Sequence, residues 1–155
     1  VQSIATTRAH IDEMGVNARE VDKVEAQLLM PGYEFSELLL KTWYSASCSW
    51  SLIDGDDQLV AVLGCNDVTT SDRPSHGVAW LIGTELVPLS PIAFYRQCVT
   101  HWNLMHEQFD VLVNFIWTEH KESLRLVEHL GATLLWQKAL TVSPGNKFVP
   151  FRSQR

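Results

Sequence analysis

"NFIWTEHKESLRLVEHLGA", Asn114 to Ala132, passes from one structural period to another. Asn114-Phe115-Ile116-Trp117 reads as the end of a strand. Charge interrupts it, and an amphipathic helix follows that stops on Gly131, since glycine readily takes the left-handed turn that ends a helix. A strand that feeds a short helix this late in a chain of 155 residues depends on what precedes it.

Working back, the strand is "VLVNFIW", and before it lies the longest helical stretch, "SPIAFYRQCVTHWNLMHEQFD". Ser90 can cap that helix and Pro91 suits its first turn. Ile92, Tyr95, Val99, Trp102, His106 and Phe109 step by three and four, which predicts a buried stripe. "HGVAWLIGT", His76–Thr84, is an apolar strand suited to the centre of a sheet. Strand, long helix and strand from Gly77 to Trp117 make a crossover unit, expected to be right-handed and parallel.

Further upstream, "SCSWSLI" and "QLVAVLGCNDV" flank an Asp54–Asp57 turn carrying an Asp-Gly hairpin signal. "NAREVDKVEAQLLM" predicts a helix, with Asn17 and Glu20 at capping-box spacing and Val21, Val24 and Leu28 on one face. "EFSELLLKTWYSA" predicts a second helix and "SIATTRA" a first strand. Downstream, "TLLWQKALTV" and "FVPFR" read as strands about a turn at "SPGNK". The order is β, α, α, β, β, β, α, β, α, β, β, a single α/β domain over residues 1–155 with a mixed sheet and helices on both faces. Trp80, Trp102, Trp117 and Trp136 are expected in its core, and Trp43 and Trp50 near its cleft.

Composition agrees. Apolar residues make up 46% of the chain and charged residues 19%, so a core is affordable and disorder is not expected. Net charge is −6, which argues against nonspecific nucleic-acid binding, because phosphate neutralisation needs clustered Lys and Arg. Cys48, Cys65 and Cys98 cannot all pair and form no CxxC, so free thiols in a reducing cytoplasm are expected. No apolar run approaches the roughly 18 residues that span a bilayer.

The quoted stretch, with "AVLGCNDV", "VAWLIGTELV", the Trp-containing long helix and the closing strands, resembles GNAT-fold acyl-CoA N-acyltransferases. More narrowly it is similar to small GNAT-like proteins of short-tailed bacteriophages, described as acyltransferases or as internal virion protein A. The resemblance covers roughly Ser47 to the end. It implies acetyl-CoA as cofactor, its thioester arm lying between two splayed parallel strands on the backbone of Leu81, Ile82 and Gly83. Its phosphates would lie near Ser90, at the start of the long helix. It also implies a place in the host cytoplasm or the virion.

The sequence departs from that pattern in its chemistry. No glycine occurs from Thr84 to Leu130, where the family carries a Gly-rich phosphate loop. Pro88 and Pro91 remove two N–H donors, and Glu85 would repel an anion. Counted back from Gly131, the family's frequent Asn falls on His120 and its frequent proton-donating Tyr on Val127.

The catalytic candidates are therefore Glu85, a base at the end of the central strand or a solvated loop carboxylate, and His120, a proton carrier or a helix cap. Ser123 is a replacement hydroxyl acid or an exposed first-turn serine. His101 and His106 lie about 140° apart on a helix, at ~100° per residue, so they share no metal site, and no metal is expected. Cys98 with His101 is a nucleophile pair or a small core cysteine. The acidic balance suits a host or virion protein as partner, docking at Glu85–Leu89 and Glu119–Ser123.

Overall fold

The computed structural model describes all 155 residues. β1 (Gln2–Ala5) is followed by three helices, α1 (Arg8–Asn17), α2 (Glu20–Leu29) and α3 (Phe35–Tyr44). Then come β2 (Cys48–Ile53), β3 (Leu59–Asp67), β4 (His76–Gly83), α4 (Pro91–Gln108), β5 (Val111–Trp117) and α5 (Lys121–His129). β6 (Thr133–Leu134), β7 (Leu140–Ser143) and β8 (Asn146–Gln154) close the chain. The sheet runs β1-β2-β3-β4-β5-β8-β6, with β7 also on β8, and only the β4–β5 pair is parallel. The crossover and the hairpin are therefore as expected. No helix is long and apolar enough to cross a membrane.

Alternation along β2 and β3, interrupted by a register shift at Leu52–Ile53, builds two cores. Leu52, Ala61, Leu63 and Cys65 face α4 and α5, while Ile53, Leu59 and Val62 face α1 and α3. Gly131, at φ +94°, ends α5 while the Ala132 N–H returns to the Val127 carbonyl, as a left-handed C-terminal turn does.

Five local readings change. The chain carries one more helix than expected, because Thr7 and His10 form a capping box that starts α1 at Arg8. Asn17 ends α1 instead of capping α2, whose N-cap is Arg19. Ser90 precedes α4 without a side-chain cap bond. The buried face of α4 is Phe94, Cys98, His101, Trp102 and Met105, whereas Ile92 is 69% exposed and Tyr95 is exposed. His106 is buried as well, and the buried positions run about one residue out of step with the expected stripe, so that Trp102, His106 and Phe109 of that stripe pack inward while Ile92 and Tyr95 do not. Finally, "TLLWQKALTV" breaks at a single 3-10 turn, Trp136–Lys138, which turns Trp136 outward, 53% exposed.

Candidate functional site

β4 and β5 pair only from His76–Val78 against Val111–Val113, then diverge. Asn114 on β5 closes the apex by donating from Nδ2 to the Ala79 carbonyl at 2.8 Å. Past that point the strands bound a cavity of about 410 Å³, with 22 of its 28 lining residues hydrophobic. α3 contributes Phe35 and Leu39 from one face of the sheet, and α4 and α5 contribute Cys98, Trp102 and Val127 from the other. The cavity thus passes through the gap in the sheet, which is where an open α/β sheet gathers ligands. Along β4 the backbone groups of Ala79, Leu81 and Gly83 point alike, toward this gap, because successive residues alternate.

The open end of the gap is filled by the first turn of α2. The Gly83 N–H donates to Asp22 Oδ2 at 2.9 Å, and the Gly83 carbonyl accepts from the Arg19 N–H at 2.9 Å. Across the gap, the Trp117 N–H donates to Glu25 Oε2 at 2.9 Å. Asp22 also binds the Arg19 guanidinium twice, from Nε at 3.0 Å and from Nη2 at 3.4 Å, and pairs with His120 Nε2 at 2.8 Å. Arg19 Nη1 reaches Glu122 on α5 at 2.7 Å. Arg19, Asp22 and His120 are all buried. One polar cluster therefore ties the end of β4, the end of β5 and the start of α5 together.

The electrostatics follow from these contacts. Burial pushes the Asp22 carboxyl up, but the bonds from His120, Arg19 and the Gly83 amide outweigh it, and its pKa falls below the ordinary value. Glu25 has fewer partners. Burial dominates there and raises its pKa to about 7, against weaker opposing pulls from His120 and the Trp117 amide. An acid of that kind facing a cleft can exchange protons near neutral pH. It was missed in the sequence because α2 read as scaffold; its only trace was the three-residue step from Asp22 to Glu25.

Ser123, His120 and Asp22 come together, but not as a nucleophilic triad. Ser123 Oγ lies 3.1 Å from His120 Nε2, the same nitrogen that faces Asp22, while Nδ1 accepts the Ser123 N–H at 3.4 Å. A triad needs the carboxylate and the nucleophile on opposite ring nitrogens. His120 therefore caps α5 from its Nδ1 side. Asp22, Glu25 and His120 also bring one donor atom each within 4.8 Å of one another. Asp22 already accepts four bonds, two of them from a guanidinium, which leaves it little capacity to ligate a cation.

The remaining predicted residues divide. Glu85 is exposed beyond β4 and does not line the cavity. Leu81 turns its backbone toward the gap, whereas Ile82, opposite Val62, turns its backbone toward β3. Both backbone groups of Gly83 are engaged by α2. Ser90 stands before α4 and does not line the cavity. The Cys98 thiol is pushed up to about 12 by burial, and both ring nitrogens of buried His101 lack a partner, so the two form no nucleophile pair. Trp50 stacks on His101 at 4.5 Å, away from the cleft.

The loop before α4 does not fit a pyrophosphate. Its amides turn inward: Thr84 N–H to the Val60 carbonyl, Leu86 to Thr84 Oγ1, Val87 to the Thr84 carbonyl and Leu89 to the Leu86 carbonyl. Pro88 and Pro91 have none to offer. The remaining donors, on Glu85, Ser90, Ile92 and Ala93, are interrupted by those prolines and begin beside a carboxylate. A phosphate cradle needs several successive N–H groups converging on one point.

A family model described as "Bacteriophage T7, probable scaffold protein Gp13" matches residues 75–137, from β4 past α5. Among curated proteins no sequence matches significantly. Among solved structures, smu.2055 from Streptococcus mutans UA159 is 12% identical, with 99% of each chain covered and a TM-score of 0.70. Spermidine N-acetyltransferase from Vibrio cholerae, crystallised with CoA and spermine, is 11% identical, with 99% of this chain and 94% of that chain covered and a TM-score of 0.70. The chain has the fold of the GNAT acetyltransferases.

Proposed function

We propose that this chain is a GNAT-fold bacteriophage protein that serves virion assembly by binding another protein, without acyl transfer. The observation that carries the reading is the loop from Thr84 to Ser90, whose amides, all but those of Glu85 and Ser90, are bonded within the protein or replaced by proline. Val127, buried on the cavity wall where an acyltransferase would place a proton donor, supports it. So does the likeness to a family described as a scaffold protein. The partner surface comprises Glu85 and Leu89, exposed beyond β4, and Glu119, exposed beyond β5. Loops on a rigid scaffold commonly carry such contacts. Its setting is the host cytoplasm during assembly, or the virion.

Incubation with acetyl-CoA and a panel of primary amines should release no free thiol. The chain should co-sediment with assembling phage particles, and Glu85→Lys with Glu119→Lys should abolish this. Steady thiol release that depends on an amine would refute the reading, as would unchanged co-sedimentation of the double variant.

A second reading, residual N-acyl transfer from acetyl-CoA, is favoured by one feature. Glu25 and Ser123 both line the cavity, and Glu25 has the proton affinity of a general base at neutral pH. Thiol release that is lost in Glu25→Gln would select this reading.

A further inference from the structure

The cleft that the assembly reading leaves idle is open beside Leu29, Met30 and Phe115, but its mouth between Gly83 and Trp117 is occupied by the chain itself. The Gly83 N–H, the Gly83 carbonyl and the Trp117 N–H point into the gap, and each is taken by a residue of the Arg19–Glu25 turn. These are the groups that an extended amide chain lying between diverging strands would bond, much as an added strand does. We propose that this turn is an internal latch, a tethered occupant of the cleft mouth, and that α2 swings away as a unit to free the strand groups at the mouth and widen the way into the apolar cavity.

The construction of α2 supports a moving part. Asp22 is its single fully buried residue, and Val21, Val24 and Leu28 are only half-buried. A helix with so little apolar burial is held mainly by its polar bonds, and such elements open locally before the core does. Both ends can turn. Ala18 and Arg19 are extended, each at φ −58° and ψ 147°, between α1 and α2. Beyond Met30, Gly32 sits at φ +91°, a conformation that favours glycine. The pair of Arg19 with Glu122 crosses to α5, but Glu122 is 70% exposed, so this outer bond is weak. What opening would uncover is a wall of Leu81, Trp102 and Val127, suited to a chain of amides and methylenes such as a pantetheine arm.

Amide hydrogen exchange on the full chain tests this. In the native protein, the Gly83 and Trp117 amides should exchange at least about tenfold faster than those of Val62 and Leu112, which lie in the core of the sheet. Asp22→Asn should speed Gly83 and Trp117 by a further factor of about ten and leave Val62 and Leu112 unchanged. Gln27→Ala, on the exposed side of α2, should change none of them. Acetyl-pantetheine, which lacks the nucleotide, should restore slow exchange in Asp22→Asn. If the four native amides exchange together, the mouth opens only on global unfolding and the latch is refuted, even if Asp22→Asn fails to fold. An open Asp22→Asn variant that acetyl-pantetheine does not protect would equally refute it. Turnover of acetyl-CoA by the native chain would instead overturn the assembly reading and leave the exchange result standing.

Discussion

Glu25 ties the protein's stability to pH. Its folded-state pKa of about 7 exceeds the ordinary 4.5, so between those values the folded chain keeps a proton that the unfolded chain has lost. Stability from this group is therefore full below 4.5, falls as pH rises toward 7, and is flat above. Glu25→Gln should raise the urea midpoint at pH 8, change it little at pH 4.5, and remove the slope between them. His101 acts in the other direction. Burial lowers its pKa below 6.5, so the unfolded chain takes up a proton first and stability falls as pH drops below that value. Both its ring nitrogens are buried without partners while its face stacks on Trp50. His101→Phe keeps the stack and removes an unsatisfied donor, and denaturant melts should show a gain of about 1–3 kcal/mol. At this scale the sequence was partly legible. His120 was visible from its distance to Gly131 and Ser123 as a nearby hydroxyl, and the two do meet. Glu25 was not, because its meaning lies in the Trp117 amide 92 residues away. No local pattern announces a bond made by topology.

The elements were more legible than their faces. Strand–helix–strand from Gly77 to Trp117 follows from apolar runs and a capped amphipathic stretch, and local period suffices for that. Which face of α4 turns inward is less legible, because a step of one residue around the helix separates the expected stripe from the buried positions Phe94, Cys98, His101 and Met105. The face that packs includes Trp102, buried beside His106 and Phe151. Trp102→Ala should cost about 3–5 kcal/mol in denaturant melts, and a loss below about 1 kcal/mol would contradict that packing. β3 offers a second test. A Cβ on Gly64 would lie 2.5 Å from the Trp80 ring and 2.7 Å from the Cys48 carbonyl oxygen. The ring can shift, but the carbonyl belongs to the neighbouring strand. Gly64→Ala should therefore destabilise by about 1–3 kcal/mol, whereas Gly55→Ala, at a turn with open space, should not. α1 escaped the sequence reading because its cap is an unusual one, threonine with histidine three residues on.

At the scale of the whole molecule, the GNAT fold keeps its splayed strands while the groups that would hold acyl-CoA are turned to the chain's own use. In the loop before α4 all amides but those of Glu85 and Ser90 are bonded within the protein or replaced by proline, Gly83 and Trp117 are bound by α2, and Val127 stands on the cavity wall. Fold and chemistry thus separate: the hydrophobic period and the turns specify the sheet, and a handful of residues decide what the cleft accepts. The missing glycines and the two prolines were plain in the sequence. That the mouth is also plugged from within was not, since Arg19 and Asp22 read there as ordinary charges of a surface helix. The central claim is that the folded native chain does not take acyl-CoA, and isothermal titration calorimetry with acetyl-CoA at neutral pH addresses it directly. No saturable heat should appear up to millimolar ligand; a saturable isotherm with one site per chain and micromolar affinity would show that the native cleft takes the cofactor.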